Sequence, residues 1–473
     1  MKRTALFLSL FFVTITVVAS PNDLSPQQIA RINADVEAVL HRTDTPGAAV
    51  AIAEHGRIIY TNSYGLRDDE QHLPTSVDTY FEIGSITKQF TASAILQLQE
   101  AGKLHIDDKL AKYLPDAPHA KEVTLRQLLS HTSGVADYLD GPDIEEAATK
   151  PATFEQLMTR IADKPLDFAP GGRFSYSNTG YILLGRVIEV VSHESYQHYL
   201  QTHLLDVAGM AHTFTIADEK RLSNMAVGYW RKEAKITPSA TISSSFGWSA
   251  GFLVSTVSDL QKWNVALQGG KIVSPADYVL MSTPVSTTQQ GKADYGLGLA
   301  DDSIDEQPYV GHEGGSFGFT TANEYFLKQK VQIIAFTNNG FSPTSPDAAM
   351  AVTTAIFEDL YPEIAAAAAS SAAGEKPAVT RNVEGAFAAV QAGSDSSSYV
   401  SVEVNQKMKE GAAKVLSSQF APLGRPTAFV FKGERSVNGK KRLVYAIHFG
   451  PGVVLQFLPR MDSDGKVAGF MFE

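Results

Sequence analysis

SITKQFTASAILQLQEAG, residues 85–102, is the stretch that decides the reading. Phe90, Ala94 and Leu98 recur at four-residue steps with Ile95 and Ala101 beside them, and Gly102 supplies a C-terminal stop. That period predicts a buried or half-buried helix with Ser85 at its N-terminus. Within it, Ser85 and Lys88 stand three residues apart, so the lysine rises one turn above the serine on the same face. A serine hydroxyl is a poor nucleophile at neutral pH. A desolvated lysine with a lowered pKa can take its proton, and a helix N-terminus favours the developing negative charge. In isolation the pattern has a plainer reading, because serine is an ordinary N-cap residue. Ser463-Asp464-Gly465-Lys466 repeats the spacing inside a predicted hairpin.

Upstream, residues 46–54 (PGAAVAIAE) and 57–65 (RIIYTNSYG) are strand-like and joined by His55-Gly56, a tight-hairpin signal. From about 120 to 270 helical patterns such as TLRQLLSH, TGYILLGRVIEVVS and STVSDLQKWNVALQGG alternate with Gly, Pro and Ser clusters. Strands return after 309: GFTTANEYFL and VQIIAFTNNG predict an antiparallel hairpin, and DAAMAVTTAIFEDLY an amphipathic helix. The expected fold is therefore α/β, an antiparallel sheet flanked by helices and completed by both ends of the domain, with a mostly helical subdomain between. Residues 363–378 (IAAAAASSAAGEKPAV) have a linker composition and mark the domain boundary, although poly-alanine can also extend the preceding helix. Residues 379–473 read as a small α+β domain of unassigned role, with turns at Asn438-Gly439, Gly450-Pro451-Gly452 and Asp464-Gly465. The domain between positions 20 and 362 carries the chemistry.

Residues 1–19 read as a secretory signal: Lys2 and Arg3, an apolar run from Ala5 to Val18, then Val17-Val18-Ala19 as a small-residue cleavage site. An uncleaved anchor is the alternative, opposed by Thr14, Thr16, Ser20 and Pro21. The expected location is exported, periplasmic or extracellular, with no membrane attachment after cleavage. The formal net charge of −11 includes Lys2 and Arg3, so cleavage leaves about −13, which argues against nucleic-acid partners. A chain of 473 residues with 44% hydrophobic and 19% charged content supports two or three folded domains. With no cysteine there is no disulfide, thiolate metal site or lipidated cysteine.

Two further segments give Ser85 company: Tyr176-Ser177-Asn178 after Pro170-Gly171-Gly172, and Gly311-His312-Glu313-Gly314-Gly315. With these, the chain resembles the serine β-lactamase and penicillin-binding superfamily, in the branch of class C β-lactamases, D-alanyl-D-alanine carboxypeptidases, D-aminopeptidases and family VIII esterases. That superfamily has S-x-x-K, then Y-x-N, then K-T-G or a histidine-containing relative. TLRQLLSHTSG (124–134), YSNTGYILLGRVIE (176–189) and SAGFLVSTVSDL (249–260) resemble its framework segments, and the likeness spans roughly residues 28 to 361. An earlier Y-x-N, Tyr60-Thr61-Asn62, precedes the serine on a strand and is set aside. The resemblance implies a metal-free, cofactor-free serine hydrolase acting through an acyl-enzyme on an amide or ester: a D-amino-acid peptide, a β-lactam or a small ester. By the same resemblance Ser85 attacks, while Lys88 and Tyr176 handle protons, the primary base among them being open. The resemblance also has Asn178 bonding the substrate or Lys88, and His312, Gly314 and Gly315 binding substrate, with the N–H groups of Ser85 and Gly315 at the oxyanion. One such donor is worth about 3–4 kcal/mol in the transition state.

One departure bears on substrate. Where β-lactamases place Lys-Thr to receive a carboxylate, this chain has His312-Glu313, a titratable ring and an anion. A Glu313 turned into the cleft repels penicillins and D-Ala-D-Ala ends and favours a neutral ester or an amine-bearing peptide; turned outward, it decides nothing. Rival readings exist. Gly247-Trp248-Ser249-Ala250-Gly251 and Gly314-Gly315-Ser316-Phe317-Gly318 both match G-x-S-x-G, but neither has the strand-then-helix context of a nucleophile elbow. His193, His198 and His203 fall five apart, which spreads them around a helix. His131 in LLSHTSG reads as a loop brace near the cleft. Two other functional classes fit the same motifs: a sensor that is acylated but hardly turns over, and a structural protein on a hydrolase fold. Partners are a small molecule or short peptide, and the oligomeric state is open.

Overall fold

The computed structural model describes residues 24–215, 222–232, 235–340, 347–394, 398–437 and 440–472. The secretory segment read in residues 1–19 and the Asn438-Gly439 turn lie outside them. The fold begins with helix α1 (Pro26–Arg42), whose N-cap Ser25 forms a capping box with Gln28. Strands β1 (Gly47–Glu54) and β2 (Arg57–Asp68) follow as an antiparallel hairpin. His55 and Gly56 both adopt positive φ, 51° and 79°, the backbone twist a two-residue hairpin demands. Helix α2 (Thr87–Glu100) comes next, then a helical region containing α3 (Asn178–Ser192) and α4 (Val257–Gln268). Strands β3 (Ala300–Ile304), β4 (Gln307–Gly311), β5 (Thr320–Phe326) and β6 (Val331–Thr337) and helix α5 (Ala348–Leu360) complete the layer.

These strands form one sheet in the order β3-β4-β5-β6-β1-β2, extended by Leu73–Pro74 beyond β2 and by Gly314–Gly315 alongside β5. All of its pairings are antiparallel, and β1, from the start of the domain, lies against β6, from its end. Alternation sorts the side chains of these strands onto two faces. Ala49 and Ala51 of β1 and Ile334 and Phe336 of β6 pack into a core with α2, α3 and α4. Ala48, Val50 and Ile52 with Ile333 and Ala335 pack the opposite way, against α1 and α5. The expected α/β sheet, closed by both ends of its domain, with helices on its faces and a helical region inserted, is the fold observed.

The stretch 363–378 holds a helix, Pro362–Ala368, and the first residues of α6 (Pro377–Ala392). Alanine's high helix propensity accounts for the first of these. Beyond α6, strands β7 (Ala428–Val437), β8 (Lys440–His448) and β9 (Val454–Phe457) form an antiparallel sheet. Its apolar side chains are continuous with the α1–α5 layer: Phe387, Phe457 and Ile447 belong to the same buried cluster as Val36, Val352 and Ile356. Gly452 of the Gly450-Pro451-Gly452 turn has φ +63°, and a Cβ there would stand 1.9 Å from the carbonyl oxygen of Ala351 on α5. Its N–H donates to Glu358 Oε2 at 3.1 Å. Close docking of this kind predicts that Gly452→Ala destabilises the whole chain by roughly 1–3 kcal/mol. Thermal unfolding checks it: the expected result is a lower Tm for a single cooperative transition, and an unchanged Tm contradicts it.

Candidate active site

Ser85 sits in a single 3-10 turn, Gly84–Ile86, that leads directly into α2. Ile83 donates its N–H to Leu253 O at 2.9 Å, so a small sheet of Phe81–Glu82, Leu253–Ser255 and Phe214–Thr215 anchors the turn. Two glycines let the oxyanion side close. Gly84 has φ +48°, and a Cβ on it would meet Gly315 O at 2.7 Å and Gly315 N at 2.8 Å. A Cβ at Gly314 would stand 2.1 Å from Ile83 O. The backbones of residues 83–84 and 314–315 are thus side by side, an approach that only glycine permits.

Lys88 is wholly buried. Its Nζ lies 2.8 Å from Ser85 Oγ, 2.9 Å from Asn178 Oδ1 and 2.7 Å from the carbonyl oxygen of Ala250. Burial drives its pKa down to about 7, against the nearby negative charge of Asp137, which holds it up. The carboxylate of Asp137 also fixes Asn178: Oδ2 accepts from the Asn178 backbone N–H at 2.9 Å and from its Nδ2 at 2.8 Å. With the amide nitrogen so engaged, the amide oxygen must face Lys88. Ala250 belongs to the short helix Ser244–Gly251, which is broken by Trp248 at φ 30° and ψ −129°. From this kinked segment Ser249 O accepts from Thr91 Oγ1 and Ala250 O from Lys88, so it clasps α2 at two points.

The Tyr176 ring lies 4.9 Å from Lys88 Nζ and is part exposed on the cleft wall. Burial of its hydroxyl raises the phenol's pKa well above the ordinary value; the Ser85 hydroxyl acts in the opposite direction, and Tyr181, Asp137 and Glu313 add to the rise. His131 stacks on Tyr176 with centroids 4.1 Å apart, and its Nδ1 accepts the Ser177 N–H at 3.1 Å. It braces the Tyr176–Asn178 loop from beneath. His312 is buried, with Nε2 2.9 Å from Tyr295 Oη and Nδ1 against Glu313 O. Burial, followed by the Lys88 charge, lowers its pKa to about 3, so the ring is neutral across the working range and supplies no cation. Glu313 stands on the wall of the same cavity as Ser85.

That cavity, of about 880 Å³, has Leu139, Ile144, Ile242, Phe246 and Phe317 among its lining residues. Its described lining contains carboxylates but no Lys or Arg. The structure therefore brings Ser85, Lys88, Tyr176, Asn178, His312, Gly314 and Gly315 around one cleft and adds Asp137, the Ala250 carbonyl and Tyr295 to them. The rival positions lie elsewhere or are already engaged. Ser249 is buried and donates to Tyr181 O at 2.9 Å. Ser316 borders the cavity, but both ring nitrogens of His312 are committed to other partners. Tyr60 and Asn62 bond Asn33 on α1. Ser463 is in an exposed turn, and His198 and His203 pair with Glu194 at the surface.

A cleft with a serine, a buried amine and two facing backbones defines the class: the architecture of the β-lactamase-fold serine hydrolase family. The Beta-lactamase family model matches residues 32–355, and this chain belongs to that family. A Bacillus subtilis (strain 168) relative that bears the name penicillin-binding protein PbpX is 30% identical over 317 residues, covering 66% of this chain and 76% of its own. Among solved structures, a D-stereospecific amidohydrolase from Streptomyces sp. is 26% identical with a TM-score of 0.57, covering 65% of this chain and 94% of its own. An octameric penicillin-binding protein homologue from Pyrococcus abyssi, 22% identical with a TM-score of 0.63, covers 94% of this chain and 95% of its own, so its likeness in fold extends past the hydrolase domain.

The carboxylate behind Asn178 is open to test. Asp137→Asn removes an acceptor shared by two N–H donors and a charge that favours protonated Lys88. The expected result is acylation slowed on the order of tenfold to a hundredfold, with the pH midpoint of the rate moved downward. An unaltered midpoint and rate contradict the positioning role. Gly314→Ala, which puts a Cβ against Ile83 O, is expected to abolish acylation while costing about 1–3 kcal/mol of stability, read by labelling and by thermal melting.

Proposed function

We propose that this chain is an exported serine hydrolase that acylates Ser85 with an amide or ester lacking a free carboxylate next to the scissile bond. The observation that carries the reading is the set of acceptors around Lys88. A neutral amine has two N–H donors and one lone pair. Ala250 O and Asn178 Oδ1 take the two donors, which leaves the lone pair for the Ser85 hydroxyl. A pKa near 7 makes that neutral form accessible. Lys88 is accordingly the base, and Tyr176, held protonated at rest, is the acid.

In the first half-reaction Ser85 Oγ bonds the substrate carbonyl carbon as its proton moves to Lys88 Nζ. The oxyanion is received by the N–H groups of Ser85 and Gly315. The carbonyl then reforms, the bond to the leaving group breaks, and Tyr176 gives the departing nitrogen or oxygen its proton, which the Lys88 ammonium restores. In the second half-reaction water attacks the ester, its proton passes to the Lys88–Tyr176 pair, and Ser85 recovers a proton as the acid product leaves. Glu313 and the lack of a described Lys or Arg on the cavity wall weigh against substrates recognised by a carboxylate, which favours simple amides and esters over penicillins and D-Ala-D-Ala ends. The amidohydrolase named above is consistent with such a substrate.

Two measurements check this. Intact-mass labelling with a fluorophosphonate is expected to give one adduct on the wild type and on Ser249→Ala and none on Ser85→Ala; an adduct on Ser85→Ala contradicts the assignment. The labelling rate is also expected to rise with pH to a plateau with its midpoint near 7. The sign follows from Lys88: below its pKa all three ammonium hydrogens are bonded, and above it the lone pair is free. A rate that is flat between pH 5 and 9 contradicts Lys88 as base.

A further inference from the structure

Besides its apolar residues, the cavity is lined by acids: Glu145, Asp294, Glu313, Glu324 and Asp347. Glu313 follows His312, Glu324 is on β5 opposite Gly311 of β4, and Asp347 caps the N-terminus of α5, where its Oδ1 accepts from Met350 N at 3.0 Å. All three line the cavity that contains Ser85. Glu324 has no exposure to bulk water, and neither of its carboxylate oxygens has a hydrogen-bond partner. The hydrogen bond that Glu313 accepts is long, 3.5 Å from Tyr309 Oη. Among the described residues no lysine, arginine or histidine forms an ion pair with any of the three. Residues 341–346, which lead into Asp347, read FSPTSP and contribute no cation by sequence.

A buried carboxylate without a partner is costly, and adjacent like charges make it worse. Burial, with the charge of Glu313 added, pushes Glu324 well upward in pKa, and burial raises Asp347, so this part of the wall holds protons that an incoming cation can displace; Glu313 is exposed to the cleft. A hydrated metal ion is a poor fit, because the described residues form no group of acids and histidines able to hold one. A primary ammonium matches better, since its N–H donors can meet Glu313 and its neighbour Asp347 without all three acids converging on one point.

We propose that Glu313, Glu324 and Asp347 form a subsite for a primary ammonium group carried by the substrate. The substrate class is then an amino-bearing amide or ester, such as an aminoacyl derivative or a peptide with a diamino side chain. This rests on reading the cavity as the place of acylation and deepens it. Glu313 and Asp347 make the contact, and Glu324, whose oxygens have no partner, gives up its proton to balance the ammonium as it binds.

The test uses matched substrate pairs on the full chain. In one pair the amine is on the acyl side, an alanine p-nitroanilide of each enantiomer against its N-acetyl form. In the other it is in the leaving group, an N-acetylalanine 2-aminoethyl ester against its N-acetylated counterpart. For the wild type, kcat/KM is expected to favour the ammonium member of at least one pair by about tenfold or more. In Glu313→Gln and Glu324→Gln that ratio is expected to fall toward one; being a ratio, it is insensitive to a general loss of activity. The two variants also guard against misfolding of either. A ratio at or below one in both pairs, or one that both variants leave unchanged, overturns the subsite. Calorimetric binding of the same compounds to Ser85→Ala separates the two levels. Preference for the ammonium member without turnover in the wild type sinks the hydrolase reading and keeps the subsite, whereas turnover without preference does the reverse.

Discussion

The structure depends on one unfavourable act, the burial of a lysine amine. Lys88 has no contact with water, and each of its acceptors comes from a different part of the chain. An ammonium held there without compensation is strongly disfavoured. The compensation supplied is deliberately incomplete. Two fixed acceptors satisfy a neutral amine, the third partner is the Ser85 hydroxyl, and the negative charge of Asp137 is spent on orienting Asn178. The result is an amine poised near neutrality in place of a stable ion pair, the property the proposed mechanism requires of its base.

The scaffold is organised around keeping that arrangement rigid. α2 is buried along nearly its whole length, stacked through Phe90 on Trp263 of α4 at 3.9 Å and tied to the 244–251 segment through Thr91. The sheet's outer face is covered by α1, α5 and the C-terminal module in one continuous core. That module therefore sits on the opposite side of the sheet from the helix that carries Ser85, and the continuity of its core gives it a structural part whatever else it does. The cleft forms where the inner helices meet the edge of the sheet at residues 311–317. There the chain is lined by both apolar groups and acids, a combination suited to orienting an amphiphilic small molecule.

Much of this was legible in the residues alone, because the decisive signals are local. The Ser85–Lys88 spacing needs only a helix, the His55-Gly56 turn only two strands, and the 320–337 hairpin only alternation. What sequence could not show is what tertiary contact decides. Asp137 meets Asn178 across 41 positions. The Ala250 contact comes from a backbone carbonyl, which carries no residue-type signal, and it lies inside a G-x-S-x-G match that pointed instead at Ser249. His312 read as a titratable ring, yet burial beside Tyr295 and Lys88 keeps it neutral. The orientation of Glu313 was undecidable without the register that sets it on the cavity with Glu324 and Asp347. The alanine-rich stretch read as linker by composition, while its first residues follow their helix propensity.

The central claim is that Lys88 is an uncharged amine near neutral pH, and its protonation can be observed directly. In protein labelled with 13C at lysine Cε, NMR titration of the wild type against Lys88→Arg isolates this residue's resonance. One signal, absent from the variant, is expected to titrate near pH 7 while the other lysines stay charged. A Lys88 signal that remains charged past pH 9 contradicts it.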